Sequence, residues 1–304
     1  MNCGPFVSMI GRGFGLSRQE REPTRALGYT KEKRSYEEGI LLLGLHRLEA
    51  RITRLNFEYR GLVARIELNH APRNVIDIEM MEQLAQVVSA VEARPEISVV
   101  VFTGLGTAFS VGVDVAAHTP DIVEAMLAKF HAVIRAVVAS RKITVAAVRG
   151  HCLGGGAELA MVCDLVYTTE KAIWGFPEIK LGCFPPVAAA ALAPLVGQKL
   201  AADLILTGRS ITGVEAARIG LANHAVADDQ LEPVVNDAVQ HLSDLSPAVL
   251  GVAKKALYAW DAFHFDKGLA KAEKIYLEEL LKVDDMQEGI SAFLEKRNPL
   301  WEGK

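Results

Sequence analysis

An α/β fold with at least partly parallel strands is what this sequence predicts, on three observations. SVVVFTG (98–104) and TVAAVRG (144–150) are short apolar runs that end in glycine, the pattern of strands buried on both faces. Around them lie segments with apolar residues at helical spacing: Met80, Leu84, Val87 and Val91 before the first run, and Met126, Phe130, Val133, Ile134 and Val137 between the two. Strand and helix therefore alternate, which calls for a layered α/β core. The last hundred residues carry helical signals almost throughout.

Residues 1–54 stand apart. They are rich in Gly, Arg and Glu and lack a sustained apolar period, so they read as a poorly ordered extension, with a short helix over 36–52. GRGFG (11–15) has no strand before it and no βαβ unit around it, which removes a dinucleotide loop. Glu20, Glu22, Glu32, Glu37 and Glu38 argue against a transit peptide, because such peptides avoid acids. The core is expected over 55–245. FEYRGLVARIELN alternates and is rich in β-formers, so it predicts two strands joined at Arg60-Gly61. Asp77 caps a helix that runs to Arg94. Thr212 with Glu215 makes a capping box, and Gly220 stops that helix. Ser246-Pro247 opens the helical C-terminal region, 246–304.

Bulk composition excludes several classes. Of 304 residues, 50% are apolar and 23% charged, and the net charge is -4. Such a balance gives no general attraction to nucleic acid or anionic membrane. No apolar run reaches the roughly 20 residues of a membrane helix. The cysteines, Cys3, Cys152, Cys163 and Cys183, fit neither a zinc site nor a disulfide framework. They read as small buried hydrophobes in a reducing, cytoplasmic compartment.

The stretch HCLGGGAELA (151–160) concentrates the chemistry. A strand ending at Gly150 and a helix starting near Gly155 leave unpaired N–H groups at the positive end of the helix dipole. Glycine keeps the approach to them open. No Lys-Ser/Thr follows, as a phosphate loop needs, and Glu158 would repel a phosphate. A carbonyl oxygen that turns anionic only in the transition state fits better. GLGTAFSVGVD (104–114) is a second turn of the same character.

FSVGVD, GHCLGGGAELAMVCDLVY and FPEIKLG, in that order and spacing, resemble the enoyl-CoA hydratase/isomerase (crotonase) superfamily, from about Leu55 to about Trp301. The resemblance implies a spiral of β-β-α units and a C-terminal helical region that builds homotrimers, often paired into hexamers. It implies an acyl-CoA thioester as substrate and neither metal nor redox cofactor. It places the two oxyanion donors at the backbone N–H groups of Val113 and Gly155. It places glutamates at both positions used by hydratases, Glu158 and Glu178. Glu158 would position and deprotonate water and Glu178 would supply the proton, with the division between them open, since coupled carboxyls titrate as a pair.

Trp174, Phe176, Pro177, Phe184, Pro185 and Pro186 surround Glu178 in sequence. As a pocket wall they would raise its pKa; as core packing they would not touch substrate. Val111, Trp174, Phe176, Phe184 and Pro186 are taken as pocket residues. LGCFPPVAAAALAPL departs from the glycine-rich turn of straight-chain hydratases. With NHAPRNVIDIEMM (69–81) it is similar to the branch that hydrates cyclohexa-1,5-diene-1-carbonyl-CoA. A linear 2-enoyl-CoA of β-oxidation is the alternative. An isomerase, dehalogenase or hydrolase would need other acids and bases, and a non-enzymatic RNA-binding role has only the N-terminal segment in its favour.

Four further features get structural expectations. His151 and Cys152 point to opposite faces of a strand and do not form a catalytic pair. Asp114 orders its own turn. Asp164 caps a strand junction. Lys296-Arg297 reads as a solvated charge pair, with CoA phosphates as the alternative partner.

Overall fold

The computed structural model describes residues 52–259 and 261–303. The 36–52 helix (save Ile52), the GRGFG loop and Cys3 fall outside them. The chain runs through a repeated strand–strand–helix unit. The first repeat is β1 (Leu55–Arg60), β2 (Val63–Leu68) and α1 (Ile78–Glu92). The second is β3 (Val99–Gly104), β4 (Ala108–Ser110) and α2 (Val123–Ala139). The third is β5 (Ile143–Val148), β6 (His151–Leu153) and α3 (Gly155–Met161). The fourth is β7 (Leu165–Thr169), β8 (Ile173–Gly175) and α4 (Pro186–Val196). Then follow α5 (Gln198–Thr207), β9 (Ser210–Thr212), α6 (Gly213–Arg218), β10 (His224–Val226) and α7 (Leu231–Ser243). The chain closes with α8 (Pro247–Leu257), α9 (Asp261–Glu278) and α10 (Asp284–Leu294).

From the second repeat on, each repeat divides its strands between two sheets. The first strand joins a six-stranded sheet ordered β1-β2-β3-β5-β7-β10, the second a four-stranded sheet ordered β4-β6-β8-β9. Pairing is parallel except for the β1–β2 hairpin and the β8–β9 pair. In the hairpin Arg60 lies opposite Val63, and the turn uses Gly61 at φ +61°, the left-handed region that glycine enters without cost. The expected join at Arg60-Gly61 is where the chain turns.

The alternation of a strand explains how one apolar run serves two helical layers. Val99 and Val101 of β3 pack with Leu231, Val235 and Val239 of α7. Val100 and Phe102, on the other face, meet Val88 and Val91 of α1 and Val137 of α2 around a small void. The caps are local chemistry. Asp77 Oδ1 accepts the Met80 N–H at 2.8 Å, and Thr212 Oγ1 accepts the Glu215 N–H at 3.2 Å. Ser246 precedes α8 as expected but makes no side-chain cap bond, so Pro247 at the first helical position marks that start.

Asp164, at the entry to β7, is a structural joint. Its Oδ2 accepts from Thr144 N (2.7 Å) and Thr144 Oγ1 (2.9 Å) of β5. It also lies 2.7 Å from Lys254 Nζ of α8, with both side chains nearly buried. Lys254 Nζ donates in addition to Lys142 O at 2.9 Å. Among the described residues no helix is long and apolar enough to cross a membrane.

Candidate active site

Two strand exits meet at the centre of the molecule. Beyond β4, Ile76 N donates to Gly112 O (2.9 Å) and Asp114 N donates to Ile76 O (3.1 Å). Val113 sits between these bonds, and its own N–H has no acceptor among the described residues. Beyond β6, Gly154 takes φ +50° and Gly155 begins α3, so the Gly155 N–H lies in the first turn, where a helix offers it no partner. The turns touch. A Cβ on Gly155 would lie 2.7 Å from Val113 Cγ2 and 3.4 Å from Val113 N. Only a glycine there lets the two amides come together, which answers why flexible residues stand at a helix start.

The outer turn is held by a residue that sequence reasoning passed over. Asn74, buried and at φ +55°, donates through Nδ2 to Leu105 O (3.0 Å), Ala108 O (2.8 Å) and Phe109 O (3.2 Å). Its carbonyl accepts from Ser110 Oγ at 2.6 Å, and Ser110 Oγ accepts from Gly112 N at 3.1 Å. The signal was an asparagine in a turn after Pro72, a type that tolerates the left-handed region. Asp114 orders the next turn as expected, its Oδ1 accepting the Ala116 N–H at 3.0 Å.

Both glutamates reach this place. Glu158, on the first turn of α3, is 3% exposed. Its Oε1 accepts the Ala188 N–H at 2.9 Å, and the Val187 N–H bonds to it as well. These amides belong to the first turn of α4, whose first residue, Pro186, has none to offer. Burial raises the Glu158 pKa to about 7, against the pull of the two amides. Glu178 lies on a short 3₁₀ helix, Pro177–Leu181. The residue is partly exposed, yet its Oε2 is buried with no hydrogen-bond partner. Burial first, and the Glu158 charge second, push its carboxyl well above the usual range. Glu178 Oε1 lies 2.7 Å from where a Gly154 Cβ would stand, so Gly154 makes room for the carboxyl.

A cavity of ≈ 70 Å³ joins these groups; Val113, Gly154, Gly155, Glu158 and Glu178 all line it. Val111, Phe184 and Pro186 line it too. Trp174 and Phe176 do not. Trp174 is fully buried in β8 and donates Nε1–H to Thr168 Oγ1 at 3.0 Å; Phe176 is 1% exposed and also outside the lining. Proximity to Glu178 in sequence misplaced them, because β8 carries Trp174 into the core before the chain turns out to Glu178. Tyr276 of α9 supplies the missing aromatic face, its ring 5.2 Å from that of Phe184.

His131 was also missed. It is fully buried on α2 and lines the cavity, with Nδ1 2.7 Å from Glu273 Oε1 of α9. Neither His151 nor Cys152 reaches the cavity. Cys152, Cys163 and Cys183 are free and buried. Arg297 is paired with Glu288 and Glu295, so its guanidinium is already engaged. Among the described residues no group of three or more His, Cys, Asp or Glu is arranged to hold a metal.

The profile of the enoyl-CoA hydratase/isomerase family matches residues 58–304. The chain belongs to that family. Among curated relatives, it is 36% identical to the cyclohexa-1,5-dienecarbonyl-CoA hydratase of Thauera aromatica over 247 residues, covering 81% of this chain and 95% of the relative. It is 34% identical to the 2,3-dehydroadipyl-CoA hydratase of Escherichia coli over 236 residues, covering 77% and 92%. Among solved structures, an enoyl-CoA hydratase from Mycobacterium avium subsp. paratuberculosis superposes with a TM-score of 0.75 at 25% identity, covering 82% of this chain and 99% of that one. An enoyl-CoA hydratase/isomerase from Xanthobacter autotrophicus gives 0.72 at 30%, covering 81% and 97%. The crotonase resemblance read from three motifs and the repeated β-β-α fold are borne out, and the protein is an enzyme of the enoyl-CoA hydratase type.

Proposed function

We propose that this enzyme adds water to a conjugated acyl-CoA thioester, with cyclohexa-1,5-diene-1-carbonyl-CoA as its preferred ester. One observation carries the mechanism: two unpaired backbone amides and two electrostatically linked carboxyls line a single cavity. The Val113 and Gly155 N–H groups donate to the thioester oxygen. They bond it more strongly as it gains charge, and losing one such donor typically costs about 3–4 kcal/mol of barrier.

The pair of carboxyls divides the protons. Glu158, whose charged form the two α4 amides favour and hold in place, is the one to ionise first. It takes a proton from water as the water oxygen bonds to carbon, and the displaced electron pair runs through the conjugated system to the thioester oxygen. Glu178, kept protonated by its burial and by the Glu158 charge, gives its proton to carbon as the enolate collapses. One water is consumed and one C–O and one C–H bond form. A ring dienoyl thioester delivers its charge to the same oxygen, so the same amides serve. The reaction as drawn uses no metal or redox cofactor.

The ring preference rests on the likeness to the Thauera aromatica hydratase and on the two aromatic rings, Phe184 and Tyr276, that line the cavity at 57° to each other. A linear 2-enoyl-CoA is the second reading, favoured by cavity size. An apolar cavity of about 150 Å³ admits benzene, and this one is ≈ 70 Å³, so a ring requires Phe184 or Tyr276 to move aside. Comparing cyclohexadienoyl-CoA with crotonyl-CoA on the purified protein decides between them. The expected result is a kcat/KM at least tenfold higher for the ring. A preference for crotonyl-CoA replaces the ring by a straight chain. Glu158→Gln and Glu178→Gln should each lower kcat by more than a hundredfold, the usual range for a proton-transfer group; near-normal turnover in either variant removes the two-carboxyl mechanism.

A further inference from the structure

The acyl cavity is lined by polar side chains that the hydration scheme leaves unused, His118, Tyr276 and His131. His131 is fully buried and lines the cavity. Its Nδ1 faces Glu273 Oε1 at 2.7 Å. Arg135, one turn along α2, holds the same carboxylate with two bonds of 2.9 Å, Nη1 to Oε1 and Nη2 to Oε2. Burial would raise the Glu273 pKa, but the bonds from Arg135 and His131 outweigh it and keep the carboxyl below its ordinary range. Glu273 is therefore an acceptor, and Nδ1 of His131 carries the hydrogen that it receives. The other ring nitrogen, Nε2, is left with a lone pair. It is buried and has no partner.

A buried acceptor without a donor is costly unless something supplies one. The walls do not: Met126, Leu127 and Phe130 are apolar, and the Tyr276 hydroxyl, which also lines the cavity, makes no hydrogen bond to it. From this geometry we infer that His131 Nε2 accepts a hydrogen bond from a hydroxyl on the bound acyl group, making His131 a specificity-determining residue and Glu273 its positioning residue. The inference rests on the acyl-CoA reading above. Such a hydroxyl has two sources. It is either the one that hydration creates next to the thioester, or one that the substrate brings further along its chain.

Dissociation constants for butanoyl-CoA, 3-hydroxybutanoyl-CoA and 4-hydroxybutanoyl-CoA separate these cases. They are measured by calorimetry in a Glu178→Gln background, so that the 3-hydroxy ester is not consumed. His131→Phe keeps a flat ring and removes the acceptor. The expected result is that it weakens one hydroxylated ester about tenfold more than butanoyl-CoA, the size of one buried hydrogen bond. Loss confined to the 3-hydroxy ester assigns the bond to the reaction's own hydroxyl, and loss confined to the 4-hydroxy ester assigns it to the substrate's. Glu273→Leu tests the same bond without altering the buried ring. It should reproduce at least a threefold part of the selective loss, while Glu273→Gln, which keeps an acceptor for Nδ1–H, should retain the preference. Equal weakening of all three esters in both His131→Phe and Glu273→Leu overturns the inference and leaves a packing role. Failure of the His131 parent protein to bind any of these esters and cyclohexadienoyl-CoA as well overturns the acyl-CoA reading itself, and this inference with it.

Discussion

At the scale of single residues, the site is built by denying two carboxyls their water. Glu158 keeps two amides and Glu178 Oε2 keeps no partner, so burial dominates both and each holds its proton above the ordinary carboxylate range. The active form carries one proton on the pair. It appears as Glu158 ionises, so log kcat/KM should rise with unit slope on the acid side and level off as pH passes about 7, then fall once Glu178 loses its proton at higher pH. A pH–rate profile checks this; a flat profile between pH 5 and 8 contradicts it. The same shift has a cost in stability. A carboxyl whose folded pKa is raised favours the fold fully below its unfolded value, and that contribution is lost as pH rises from about 4.5 to about 7. Glu158→Gln removes the penalty. It should match the wild type at pH 4 and exceed it by up to about 3 kcal/mol at pH 8, since one pKa unit is worth about 1.4 kcal/mol. Denaturant melts at the two pH values measure the difference.

At the scale of elements, the groups of the hydration scheme are placed by the ends of helices and strands, while His131 sits at the middle of α2. The exit of β4 presents the Val113 amide, the start of α3 presents Gly155 and Glu158, and the start of α4 supplies the amides that hold Glu158. Asn74 clamps the first of these with three bonds from one side-chain amide. Asn74→Ala should therefore lower kcat more than it raises KM, and should destabilise the fold by about 2–3 kcal/mol through orphaned carbonyls; an unchanged kcat would show the turn to be self-supporting. Turns of this kind were legible because Gly, Asp and a following apolar period have local causes. FPEIKLG was legible only through the resemblance, which placed Glu178 among the acids. Which aromatic faces that glutamate was not legible. Trp174 and Phe176 precede it by a few residues, but β8 and the turn after it send them into the core, while Tyr276 arrives from α9, about a hundred residues away. Sequence neighbourhood reports contacts within an element and is silent on those between elements. His131 escaped for that reason too. It sits on the apolar stripe of α2, and only α9 reveals that its ring is paired.

At the scale of the whole molecule, the four β-β-α units stack their strands into two sheets, and the later helices close over what those units leave open. α9 packs on α4 and brings Tyr276 to the cavity and Glu273 to His131, so the C-terminal region completes the site rather than merely following it. α8 is tied to the core by the Lys254–Asp164 pair, whose side chains are only 6% and 11% exposed. Breaking a buried pair from one side strands the other charge, so Lys254→Met should cost about 3 kcal/mol or more, and adding Asp164→Asn should recover part of it; additive losses in denaturant melts would mean that the two groups act separately. The outer surface of α8 poses a different problem. Val249, Val252 and Leu257 are 67%, 69% and 71% exposed and fall along one side of the helix, with Leu245 just before it at 54%. Lys254 is the one buried residue of α8, and a run of large apolar side chains left open on such a helix is what an interface leaves when its partner is taken away. The prediction is that copies of the 32.9 kDa chain associate through this face, and that Val249→Glu with Val252→Glu, which changes nothing inside the subunit, drives it to monomers. Light scattering after size exclusion reads the mass directly, and a wild-type monomer would leave this apolar stripe without the role argued for it.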